Sequence, residues 1–72
     1  MLDRLSPDHV GRRIVVRRTL PEGGYGDVLG ELETWQGGVL AIRRRDGSLV
    51  EVDESTVVAG KPVPPARPRR QR

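Results

Sequence analysis

Apolar and polar residues alternate with a period of two through much of this chain, the spacing of side chains on a half-buried β-strand. The pattern is clearest from Gly37 to Val52, GGVLAIRRRDGSLVEV, and predicts a β-hairpin. Val39, Ala41 and Arg43 fall on one face of its first strand and Leu40, Ile42 and Arg44 on the other; Leu49, Val50 and Val52 supply the return. Asp46-Gly47 lies between the two. Glycine takes φ > 0 at no steric cost and aspartate tolerates it, so the pair predicts a tight turn. A two-stranded ribbon is marginal in water, and further strands must cover its apolar face.

Those strands are present in the pattern. Arg12 to Arg18, RRIVVRR, places Ile14 and Val16 on one face and Val15 on the other, with arginines fencing both ends. Asp27 to Trp35, DVLGELETW, alternates Val28, Gly30, Leu32 and Thr34 with Leu29, Glu31, Glu33 and Trp35. A glycine inside a strand predicts a bulge or bend at Gly30, where one strand serves two halves of a sheet. Between these strands Leu20 to Gly26, LPEGGYG, has no period and predicts a mobile loop. Ser6-Pro7-Asp8-His9-Val10-Gly11 predicts one helical turn capped by Ser6, with His9 facing solvent. Asp53 to Thr56 predicts a second short turn capped by Asp53, and Val57-Val58-Ala59 a last short strand.

Taken in order, these elements predict an all-β fold, a small SH3-like five-stranded barrel with a short helical turn before the closing strand. The barrel occupies residues 1–60. Residues 61–72, KPVPPARPRRQR, have proline at 62, 64, 65 and 68 and predict a disordered, extended proline/arginine-rich linker or tail.

Charge changes the picture through its distribution. The net charge is +3, but residues 61–72 carry +5 with no acid, which leaves −2 on residues 1–60. Basicity therefore belongs to the tail more than to the barrel. The chain has no cysteine, so disulfides and thiolate zinc sites are excluded. No apolar run approaches the ~20 residues of a membrane-spanning helix, and the first residues do not lead into a signal-peptide core. The expectation is a cytoplasmic protein with no membrane partner, no metal and no cofactor.

Catalysis finds little to work with. His9 is the single histidine, and a barrel of about 50 residues encloses little beside the ~300 Å³ lower end of ligand pockets. Gly23-Gly24-Tyr25-Gly26 has glycines suited to approaching a phosphate, but a strand follows and no Gly-Lys-Ser/Thr is present. Arg43-Arg44-Arg45, with Arg12, Arg13, Arg17 and Arg18, suits phosphate contacts; Glu31, Glu33, Asp46, Glu51 and Glu54 on the same sheet can instead pair with them. Only Tyr25 and Trp35 are available as stacking aromatics, and Trp35 is expected to pack on the core. Pro62 to Arg67 matches Pro-x-x-Pro-x-Arg, yet the barrel lacks the aromatic groove that reads such peptides. The candidate contact surface is Tyr25, Trp35, Arg43, Arg44 and Arg45.

VGRRIVVRR, DVLGELETW and VLAIRRRDGSLVEVDESTVVAGKPVPP together resemble the N-terminal SH3-like domain of certain actinobacterial GNAT-family N-acetyltransferases, over residues 8 to 65. The resemblance implies that Asp27 to Gly30 enters the second strand, that Arg43 to Gly47 forms the hairpin turn, and that Val58 to Pro64 leads toward a catalytic domain. No acetyl-coenzyme A site is carried over, since the matching words end where that enzyme would begin. The function implied is that of a noncatalytic accessory module, docked on or tethered to a larger protein. Its partner is then a separate protein or a covalently following acetyltransferase domain. The alternative is a small nucleic-acid-binding barrel using the arginine-rich strands and the tail, and a self-associating barrel is a third reading.

Overall fold

A computed structural model describes residues 5–64. Five strands form one antiparallel sheet in the order β4-β3-β2-β1-β5. They are β1 (Arg13–Thr19), β2 (Tyr25–Gln36), β3 (Val39–Arg43), β4 (Leu49–Asp53) and β5 (Val57–Pro62), with 3₁₀ turns at Pro7–His9 and Glu54–Thr56. The expected all-β fold and the expected succession of elements along the chain are therefore found. The disordered tail predicted for 61–72 lies outside the described residues from residue 65 on, whereas Lys61 and Pro62 belong to β5. Proline fits there because β5 is an edge strand and Pro62 is its last residue, opposite Ile14.

The long strand β2 organises the sheet. Residues 25–31 pair with β1 and residues 31–36 with β3, so Glu31 lies opposite both Arg13 and Arg43. Gly30 sits at this change of partner, buried between Val28 and Leu32, and a Cβ on it would overlap the carbonyl oxygen of Arg43. The glycine thus serves close backbone approach. The bulge itself lies further on, between Leu32 and Thr34, and leaves Glu33 unpaired in the register. Because strand side chains alternate, one extra residue reverses which face they occupy. Trp35 consequently leaves the face that it would share with Leu29 and packs, half-buried, against the core.

Turn chemistry also differs from the expectation in one place. Gly37 and Gly38 both have positive φ, 61° and 79°, and connect Gln36 directly to its partner Val39. This is the two-residue primed turn whose twist suits a hairpin. At Asp46-Gly47 only the glycine has positive φ, 93°. Gly47 N–H donates to the Arg44 carbonyl and Arg44 N–H to the Ser48 carbonyl, at 2.9 and 2.8 Å, closing a longer loop. Asp46 keeps a negative φ and acts through its side chain, accepting from Ser48 N–H and Oγ.

The Leu20 to Gly26 stretch is likewise shorter as a loop than predicted. Tyr25 and Gly26 already belong to β2, and backbone bonds from Gly23 N–H to the Leu20 carbonyl and from Leu20 N–H to the Gly24 carbonyl close the remainder.

Ile14, Val16, Val28, Leu32, Leu40, Ile42, Val52 and Val57 fill the core, joined by Leu5 from the chain preceding the first turn. The alternation of β1, β2 and β3 supplies most of these. Leu5 has no periodic signal; it is buried because it packs against Gly60 of β5, whose missing Cβ leaves room for the leucine methyl. No described residue with a polar or charged side chain is buried as a whole, although the Nε of half-buried Arg18 is shut off from solvent without a hydrogen-bond partner.

Candidate functional site

The structure divides the five candidate contact residues into three places. Tyr25 opens β2, is 63% exposed, and has the Arg17 guanidinium 6.0 Å from its ring centroid. At the other end of β2, Trp35 donates its Nε1–H to Glu54 Oε1 at 2.9 Å, which ties the strand to the second 3₁₀ turn. Arg43, Arg44 and Arg45 stand together at the β3–β4 loop. They do not form one surface with both aromatics, because β2 runs the length of the sheet between Tyr25 and Trp35.

Within the arginine group the roles separate. Arg43 holds Glu33 through two bonds, Nε to Oε2 at 2.9 Å and Nη2 to Oε1 at 3.2 Å, and donates Nη1–H to the Gly47 carbonyl. It braces the bulge and the loop against each other. The Arg43 hydrogen bond holds the Glu33 carboxyl below its usual range, and the same bond raises the Arg43 guanidinium. Arg44 and Arg45 have no ion pair among the described residues. They form the shared wall of two open grooves.

The first groove, about 330 Å³, is bounded by Gly11, Arg13, Gly30, Glu31 and Arg43 to Arg45. The second, about 510 Å³, lies over Asp27 and Leu29 and is closed on the loop side by Arg44, Arg45 and Asp46. Arg13 and Glu31, weighed in the sequence only as a phosphate contact and as a possible ion-pair partner, line the first groove, whereas Asp27 and Leu29 join the site without having been singled out. One signal for Leu29 was available: it is an apolar residue in the outward register Tyr25, Asp27, Leu29, Glu31, and is 44% exposed. Nearby, Arg17 pairs with Asp27 at 3.1 Å, and that hydrogen bond raises the arginine.

His9 is not simply solvent-facing. Its Nδ1 accepts the Ser6 backbone N–H at 3.1 Å while Ser6 Oγ accepts from Asp8 N–H, so the imidazole is part of the cap of the first turn. Gly23-Gly24 lies in a loop between strands, with no helix N-terminus behind it. Among the described residues no group of three or more His, Cys, Asp or Glu is placed to hold a metal, and no helix is long and apolar enough to cross a membrane.

Three carboxylates are lowered by defined hydrogen bonds. Glu33 is held by Arg43; Asp46 by Ser48 N–H and then its hydroxyl; Asp53 by the same two groups of Ser55. A carboxyl whose folded pKa is depressed stabilises the fold above its unfolded pKa, about 4, and that contribution is lost as pH falls through the lower folded value. The melting temperature followed by circular dichroism is therefore expected to be level above about pH 5 and to fall below about pH 4. Replacing Asp46→Asn and Asp53→Asn together, which keeps an acceptor and removes the titration, is expected to make that acid decline shallower. An unchanged decline would assign it to other groups.

A bulged five-stranded antiparallel sheet, preceded by a short capped turn, defines a small all-β domain. The chain belongs to the family described as the Rv0428c N-terminal Sm-like domain, whose model matches residues 8–61. Neither the curated proteins nor the solved structures gave a match. The family description agrees with the small five-stranded all-β fold expected from the sequence, and it names no acetyltransferase.

Proposed function

We propose that this domain is a noncatalytic accessory module that docks on or tethers to a larger protein, a GNAT-family acetyltransferase. The observation that carries the reading is the separation of chemistry from enclosure. Every buried side chain among the described residues is apolar, and the charged side chains border open grooves where water is not excluded. Such an exterior suits contact better than turnover. The sequence resemblance supplies the acetyltransferase, and the family description, an N-terminal domain, fits a module that works beside another.

A second reading, nucleic-acid binding, draws on Arg13, Arg44 and Arg45 around one groove. Salt separates the two, since each phosphate neutralised steepens the loss of affinity with salt. Fluorescence anisotropy of random duplex and single-stranded DNA with the full chain is expected to show no binding that survives physiological salt. Sedimentation velocity with purified GNAT-family acetyltransferases of the same genome is expected to show a complex. DNA binding at physiological salt, with no acetyltransferase complex, would overturn the accessory reading.

A further inference from the structure

We propose that the two grooves flanking the Arg44–Asp46 loop form one docking surface for an acidic protein segment in which a carboxylate neighbours an apolar side chain. The inference rests on the accessory-module reading and names the surface and the partner chemistry. The first groove is cationic: Arg13, Arg44 and Arg45 face Glu31, while Arg43 is occupied by Glu33. A carboxylate placed there meets guanidinium groups with no ion pair among the described residues, and arginine suits carboxylate geometry through paired N–H donors.

The second groove asks for something else. Leu29 is its one apolar lining residue, and Asp27 and Asp46 line it as well. An apolar side chain covering Leu29 would bury surface that now faces water. A nucleic-acid backbone crossing the loop from the first groove would meet these two carboxylates, and neither groove has an aromatic lining residue on which a base can stack. Charge and polarity therefore favour a peptide over a phosphodiester chain. Because Arg44 and Arg45 border both grooves, the acidic and apolar groups must be neighbours along the bound segment.

The test uses the full chain and a short synthetic peptide with two aspartates followed by two leucines, titrated by amide NMR. Shifts are expected at Arg13, Leu29 and Arg44 to Asp46, with affinity falling about tenfold in the Arg44→Glu/Arg45→Glu variant and about fivefold in Leu29→Ser. Both variants alter exposed positions, and retained amide dispersion verifies their folding. Absence of shifts, shifts confined to other residues, or tighter binding of a short DNA duplex to the same amides at physiological salt would each overturn the proposal. An acetyltransferase complex unaffected by both variants would overturn this surface and leave the accessory reading standing. Peptide binding here without any such complex would support the surface and count against the acetyltransferase.

Discussion

Gly30→Ala is expected to remove a large share of the stability of this domain. The added methyl would point into the core where β2 exchanges β1 for β3, overlapping the Arg43 carbonyl oxygen and lying 2.9 Å from both the Arg43 carbonyl carbon and Ile42 Cγ2. Relief requires moving backbone, and that backbone is fixed by the Glu31 pairing, the Glu33 ion pair and the bond to Gly47. Overpacking of this kind costs about 3 kcal/mol or more, against roughly 4–11 kcal/mol for a domain of this length. Gly60→Ala provides the contrast. Its closest neighbour is Leu5 Cδ1 at 2.6 Å, the end of a flexible side chain, and the expected loss is about 1 kcal/mol. Urea denaturation of the two variants measures the difference. A Gly30→Ala protein within about 1 kcal/mol of the parent would show that the strands separate easily there, contrary to the close approach described above.

The second large effect is expected at Ile42. Its side chain is fully buried, opposite Leu32 on one side and Val50 on the other, and close to the space that Gly30 leaves empty. Ile42→Ala is expected to cost about 2–5 kcal/mol, from lost apolar burial and the cavity that remains. The substitution also tests the Gly30 argument. Combining it with Gly30→Ala should leave the protein at least as unstable as either variant, because the Arg43 carbonyl remains in place. Rescue in the combined variant would assign the clash to the side chain and not to the backbone. At Leu29, whose side chain faces outward, truncation to alanine is expected to fall within about 0.5 kcal/mol.

The strands were legible because their core positions alternate: Ile14 and Val16, Val28 and Leu32, Leu40 and Ile42 are all buried, with Ala41 of β3 the one break in the pattern. The caps were legible for a local reason. Ser6 and Asp53 bond to backbone N–H groups two residues on, an interaction that needs no distant partner. Gly30 was recognisable as a special position, but its role was not, since the atom it avoids belongs to Arg43, thirteen residues later. The bulge at Glu33 left no comparable mark: glutamate carries no backbone signature, and the pairing that bypasses it is decided by β3.

The candidate surface was legible only in part. Arg43 to Arg45 are adjacent in sequence and remain adjacent in space, but the two grooves beside them need Arg13 from β1 and Asp27, Leu29 and Glu31 from β2. Their meeting depends on how the β3–β4 loop lies beside the β1–β2 ladder, and no local pattern encodes that. Nor does the sequence separate Arg43 from its two neighbours; the bulge, which presents Glu33 to Arg43, makes that distinction.

By itself, then, the sequence determined the all-β class, the succession of elements along the chain, the capped turns and most of the apolar core positions, because alternation, caps and turn glycines act over a few residues. Tertiary structure decided which turn is tight, which face Trp35 takes, why residue 30 has no side chain, and which residues share the arginine grooves. Those outcomes depend on contacts between chain segments far apart in sequence, where one inserted residue reverses a strand's faces and one missing methyl lets two backbones meet.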